Sequence, residues 1–223
     1  MSIPSETEAL STLRKLLQKP TAQWSSDGQR QAVITCLQWA KDLIVILPTG
    51  SGKSAIIATV ATLEECKVTA VLCPLKSLLV DWSRRLKAMN VAFEVFSREA
   101  PAITGQTPII LVSLDATIRP YWREAINNLR KDTPLNRLVI DEAHLLLTES
   151  TYRNVMEHVR ELREHPVQMV LLSATIAPSS IADLRSQANL AKGPLTQIIR
   201  ASSNRPELSF QALQPQKSFS QVY

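Results

Sequence analysis

The stretch Leu43-Ile44-Val45-Ile46-Leu47-Pro48-Thr49-Gly50-Ser51-Gly52-Lys53-Ser54 decides the fold. Five apolar residues in a row, bounded by Asp42 and Pro48, read as a short strand buried on both faces, as in a parallel sheet. Gly50 and Gly52 let the backbone turn tightly, so that successive N–H groups converge on an anion. A helix starting near Lys53 aims the positive end of its dipole at the same point. Thr49, Gly50, Ser51 and Gly52 then cradle phosphates, Lys53 neutralises the β- and γ-phosphates, and the Ser54 hydroxyl ligates magnesium. The strict phosphate-loop pattern asks for glycine at position 47, where this chain has Leu47; the core Thr49 to Ser54 is intact.

Outward from this stretch, more short apolar runs follow at Val68–Leu72, Val91–Phe96, Ile109–Val112, Leu138–Ile140, Met169–Leu172 and Thr196–Ile199. Helical patterns separate several of them, at 54–65, 77–89, 120–130 and 151–164. Two more helices are expected ahead of the first strand, at 9–19 (stopped by Pro20) and from Ser26 to Ala40. Alternating strand and helix predicts an α/β domain, a mainly parallel sheet with helices on both faces. Ligands in such sheets bind beyond the carboxyl ends of the strands. The expected division is an N-terminal helical extension over 1–22, the α/β domain over 23–200, and a Ser-, Gln- and Pro-rich tail over 201–223 that reads as a linker.

Two more motifs fall at strand ends. Asp141-Glu142-Ala143-His144 follows Leu138-Val139-Ile140. Asp141 at that place would hold magnesium through water, and Glu142 would orient or deprotonate an attacking water. Ser173-Ala174-Thr175 follows Val170-Leu171-Leu172, and its hydroxyls are candidates to pair with His144 and couple to the nucleotide. Alone, each motif is weak; in this order after a phosphate loop they specify one kind of site.

The bulk composition narrows the class. In 223 residues, 45% are apolar and 20% charged, so a sizeable core is expected. The net charge of +5 suits nucleic acid as well as it suits an ordinary basic protein. Cys36, Cys66 and Cys73 are odd in number and lack C-x-x-C spacing, against a disulfide framework or zinc site. No apolar run reaches the roughly 20 residues needed to span a bilayer, and Met1 to Glu8 is too polar for a signal peptide. The chain is expected to be intracellular and soluble.

These motifs resemble the first RecA-like lobe of a superfamily 2 helicase, specifically the RecQ family. The stretches that carry the resemblance are Leu47 to Ser54, Cys73-Pro74-Leu75-Lys76-Ser77-Leu78, Asp141 to His144 and Leu172 to Thr175, with Arg205-Pro206-Glu207-Leu208 resembling the segment that closes the lobe. The resemblance covers roughly residues 24–210. It implies an ATP- and magnesium-dependent DNA helicase moving 3′ to 5′ on single-stranded DNA, nuclear in a eukaryote. It implies that Lys53, Asp141 and Glu142 serve hydrolysis and that His144, Ser173 and Thr175 serve coupling. Gln29 takes the place of the adenine-reading glutamine, whose amide pairs with adenine N6 and N7. Trp24 either stacks near the base or staples the helix entry.

Lys76, Arg84, Arg85 and Ser113 are the implied nucleic-acid contacts. For Arg84 and Arg85 a solvated helix face is an equal reading. Leu78, Leu79, Trp82 and Leu86, at helical spacing, read as core. Three departures stand out: Ser25 and Ser26 where the family has arginine; one aromatic, Tyr152, where it has an aromatic-rich loop; and, within these 223 residues, none of the second RecA-like lobe that supplies the arginine finger. Catalysis is therefore expected to need that lobe in cis or in trans. The competing reading is a non-catalytic nucleotide- or nucleic-acid-binding module. A GTPase is disfavoured by the lack of N-K-x-D, and a transport ATPase by the lack of L-S-G-G-Q. A chromatin remodeller matches residues 73–80 less well.

Overall fold

The computed structural model describes residues 3–39, 41–97, 100, 102–129, 135–148, 156–157, 167–190 and 195–202. The expected helix at 151–164, apart from 156–157, lies outside the described residues, as do Tyr152, Arg205-Pro206-Glu207-Leu208 and the tail beyond Ser202.

Strands β1 (Asp42–Ile46), β2 (Val68–Cys73), β3 (Phe93–Phe96), β4 (Ile109–Ser113), β5 (Leu135–Ile140), β6 (Gln168–Ser173) and β7 (Thr196–Arg200) form one sheet in the order β3-β4-β2-β5-β6-β1-β7. Every pairing is parallel. The helices are α1 (Glu6–Leu16), α2 (Asp27–Gln38), α3 (Lys53–Leu63), α4 (Lys76–Ala88), α5 (Pro120–Asn127), α6 (Leu145–Thr148) and α7 (Ile181–Gln187). Strand and helix positions agree with the apolar runs of the sequence to within a few residues. The second helix stops at Gln38, short of Ala40, because Trp39 adopts a left-handed conformation (φ 54°) that ends the helical ladder.

Alternation along each strand sorts the core into two layers. Leu43, Val45 and Leu47 point to the same side as Val71, Leu111, Val139, Val170 and Leu172, under α1 to α4. Ile44 and Ile46 point to the other, with Leu72, Val112, Ile140 and Leu171, against α5 to α7. Each such residue, taken wholly out of water, contributes about 1.5–3 kcal/mol of transfer free energy. Helix α1 joins the first layer, with Ala9 and Leu13 buried and its start held by a reciprocal Ser5–Glu8 capping box. Helix α3 is apolar all round and buried from Ser54 to Ala61, which anchors the phosphate loop at its head.

A polar clasp closes the amino edge of the sheet. Arg137 of β5, 0% exposed, donates to both carboxylate oxygens of Glu64 at 2.7 and 3.1 Å. It also reaches Gln168 Oε1 at 2.6 Å, Cys36 O at 3.1 Å and Thr69 Oγ1 at 3.4 Å. A guanidinium survives in such a place only when its donors are matched in this way. The opposite, carboxyl edge is left to the motifs.

Candidate nucleotide site

Strands β1, β6 and β5 are neighbours, with Ile46 opposite Ser173 and Ile140 opposite Leu171. Their carboxyl ends therefore bring the phosphate loop, Ser173-Ala174-Thr175 and Asp141-Glu142-Ala143-His144 to one edge. In the loop, Gly50 and Gly52 lie at φ 83° and 79°, the left-handed region that a side chain disfavours. A Cβ at Gly50 would meet nothing within 4 Å, whereas one at Gly52 would collide with Gln29 Nε2. Gly52 caps α3 without any side-chain hydrogen bond, so the first N–H groups of the helix stay available to an anion. Lys53 Nζ donates to Leu47 O at 2.9 Å and Pro48 O at 3.3 Å. Burial holds its ammonium below the ordinary lysine range, Glu142 and Asp141 pull it back up, and Arg85 adds to the depression.

Asp141, at the end of β5, is buried. Its Oδ1 accepts from Glu142 N at 3.0 Å and its Oδ2 from the indole Nε1 of Trp82 at 2.8 Å. Glu142 sits at φ 49°, a left-handed backbone that costs a non-glycine residue about 1–2 kcal/mol. The two amides flanking this kink hold it, Asp141 N on Leu72 O at 3.3 Å and Ala143 N on Leu172 O at 2.9 Å. The kink separates the two carboxylates: Asp141 turns into the core and Glu142 stays part-exposed beside His144. His144 Nδ1 lies 3.2 Å from Ser173 Oγ and 3.3 Å from Glu142 Oε2. The Ser173 hydroxyl also lies 3.1 Å from Thr175 O, so it joins His144 to the segment after β6.

The remaining sequence-derived residues divide. Gln29 is buried, its Oε1 accepting from Ser25 N at 2.8 Å and its Nε2 donating to Gly52 O at 3.4 Å, so its amide ties the segment before α2 to the phosphate loop. Ser25, standing where the family has arginine, donates its hydroxyl to Ser51 O at 2.7 Å. Trp24 packs against the core, and its Nε1 and the Ser51 hydroxyl are buried polar atoms with no partner among the described residues. Arg84 is 76% exposed and paired with Asp81. Arg85 also pairs with Asp81, but its Nη1 reaches back to Ser54 Oγ at 3.4 Å, toward the phosphate loop. Lys76 opens α4 on the surface and Ser113 ends β4, two strands from β5.

Two contributors were not legible as such. Trp82 reads as core from its spacing, and it is core, yet its N–H lands on Asp141. The sequence signal for Arg85 was its place one turn on from Trp82, on the same side of α4.

The donor set suits a magnesium nucleotide: hydroxyl and carboxylate oxygens from Ser54 and Asp141, a lysine, and uncapped helix N–H groups. Fold and site together define a phosphate-loop nucleotide-binding lobe of the RecA-like kind.

Residues 26–184 match the DEAD/DEAH box helicase family model, and the chain belongs to that family. It is similar to RecQ-family proteins. It is 27% identical to the ATP-dependent helicase SGS1 of Saccharomyces cerevisiae over 93% of this chain and 16% of that protein. It is 29% identical to the RecQ-like DNA helicase BLM of Xenopus laevis, covering 83% and 14%. It is also 29% identical to the ATP-dependent DNA helicase RecQ of Synechocystis, covering 79% and 39%. The chain thus spans well under half the length of these relatives. The fold is shared with the helicase MrfA bound to DNA (TM-score 0.65, 18% identity, 90% of this chain and 30% of that one). It is shared too with Dbp5 of S. cerevisiae in its complex with Nup159 and Gle1 (TM-score 0.63, 18% identity, 87% and 52%). Among the described residues, no helix is long and apolar enough to cross a membrane.

Proposed function

We propose that this chain is the ATP-binding lobe of a RecQ-like DNA helicase or translocase, and that it hydrolyses ATP efficiently only when a second RecA-like lobe completes the site. The observation that carries this reading is the meeting of Lys53 and Ser54, Asp141 and Glu142, and Ser173 at the ends of three adjacent strands.

In this reading the uncapped start of α3 and the Lys53 ammonium bind the phosphates. Ser54 and Asp141 would hold magnesium, which would supply positive charge against the charge developing on the phosphates. Glu142, part-exposed at the kink, orients the attacking water and takes its proton. His144 passes the position of Glu142 to Ser173 and so to the segment after β6. Gln29 contributes to adenine selection, directly or by fixing the loop at Gly52. Single-stranded DNA is the proposed polymer partner, consistent with the DNA-helicase names of the relatives.

The test is binding of a fluorescent ADP and steady-state ATPase on this chain, with and without single-stranded DNA, against Lys53→Ala. Tight, Lys53-dependent binding with slow turnover supports the reading. Binding with no turnover even after a second lobe is supplied would favour the non-catalytic module. Fast DNA-stimulated turnover by the chain alone would overturn the requirement for a second lobe.

A further inference from the structure

Helix α4 touches both groups assigned to magnesium. Trp82 Nε1 donates to Asp141 Oδ2 at 2.8 Å, and Arg85, one turn on, approaches Ser54 Oγ at 3.4 Å. The first contact is the more telling. Trp82 is 1% exposed, packed in the layer that holds Leu86 and Val139. Burial by itself does not give an indole N–H a partner. Trp122, equally buried on the other face of the sheet, has no partner for its Nε1 among the described residues. In the Trp82 case the donor meets a carboxylate at the end of β5.

That carboxylate would otherwise be a loose rotor, since rotation of an aspartate carboxyl about its last bond is broad. Two donors from separate elements fix it: Glu142 N on Oδ1 at 3.0 Å and the indole on Oδ2. Each oxygen keeps a second lone pair, the one a hydrated metal would engage. Outer donors of this kind orient a metal's ligands, and their loss typically costs about 10- to 100-fold in metal affinity.

We infer that Trp82 is a positioning residue, its indole N–H setting the orientation in which Asp141 meets a magnesium nucleotide. The inference rests on Asp141 holding the metal as proposed above. Phenylalanine at 82 would keep an aromatic ring in the core, remove the donor and leave a smaller ring, a loss of bulk that a separate core variant controls for; histidine would return a ring N–H.

The experiment titrates fluorescent ADP into the full chain, with magnesium and with chelator, and takes the ratio of the two affinities as the metal's contribution. Trp82→Phe is expected to keep the chelator affinity and lose about fivefold or more of the magnesium gain. Trp82→His should recover part of it, and Leu86→Val, which weakens the same core without touching Asp141, should keep it. An unchanged gain in Trp82→Phe, or an equal loss in Leu86→Val, overturns the role of Trp82. Asp141→Asn separates the two levels. If it leaves the magnesium gain intact, the metal assignment of Asp141 fails and this inference with it. If it abolishes the gain while Trp82→Phe does not, only Trp82 is removed. Should the Phe variant not fold, the unmodified chain decides: the Trp82 indole N–H resonance must shift when magnesium is added to the ADP-bound protein, and no shift overturns the inference.

Discussion

His144 Nδ1 lies 3.2 Å from Ser173 Oγ, a bond between the end of β5 and the end of β6. The same nitrogen is 3.3 Å from Glu142 Oε2, so one ring joins the proposed catalytic carboxylate to the segment after β6. Ser173→Ala removes one arm of this bridge and leaves the phosphate loop untouched. Nucleotide affinity is expected to stay within about twofold, because neither partner touches Lys53 or Ser54, while single-strand stimulation of ATPase in the two-lobe protein falls by about tenfold. Parallel binding and turnover titrations check this; a loss confined to nucleotide binding would contradict it.

Among the described residues Lys53 makes no ion pair and bonds two loop carbonyls, acceptors weaker than the charged oxygens of a phosphate. Lys53→Ala is expected to weaken ADP and ATP binding by about 10- to 100-fold with little change in thermal stability. Calorimetric binding together with a melting curve separates the two effects.

Arg84 and Arg85 are adjacent in sequence and differ in direction. Arg84 projects from α4 at 76% exposure, and Arg85 bends toward Ser54. Arg85→Ala is therefore expected to change nucleotide affinity by about fivefold and DNA affinity hardly at all. Arg84→Ala should do the reverse and reduce the salt dependence of single-strand binding by about one phosphate contact. Fluorescence anisotropy over a salt series, beside nucleotide titrations, reads both.

The Arg137–Glu64 pair is buried at 0% and 8% side-chain exposure, far from the nucleotide edge. Arg137→Met strands a carboxylate in the core and is expected to cost about 3–5 kcal/mol. Replacing both, Arg137→Met with Glu64→Leu, should recover most of that loss. Urea unfolding of the single and double variants decides it, and nucleotide affinity in the folded single variant should be unchanged.

Burial pushes the Cys36 thiol up to about 11, and burial with the Asp141 charge pushes Cys73 up to about 12, both from an ordinary 9.0. A raised native pKa means that the unfolded thiol ionises first. The associated stability is whole below pH 9 and falls as pH climbs from there toward 11–12. The melting temperature is expected to decline more steeply above pH 9 in the natural chain than in Cys36→Ala, whose curve should be the flatter of the two.

The sequence by itself determined the strands, because five-residue apolar runs bounded by turn formers suit little else. It also made the phosphate loop and Asp141-Glu142-Ala143-His144 legible as candidates for nucleotide chemistry, because such motifs depend on local backbone geometry at strand ends. It could not show that β5, β6 and β1 lie side by side, which depends on pairings between residues as far apart as Arg137 and Gln168, or Leu43 and Val170. Nor could helical spacing tell which way a side chain on α4 faces once the helix docks. Only the packed structure decided that Trp82 donates to Asp141, that Arg85 turns toward Ser54, and that Gln29 and Ser25 clamp the loop at Gly52 and Ser51. It also turned Arg137, one charge in an apolar strand, into the clasp of the far edge: this guanidinium is buried where five acceptor atoms, on Cys36, Glu64, Thr69 and Gln168, meet it, and a linear reading does not bring those segments together.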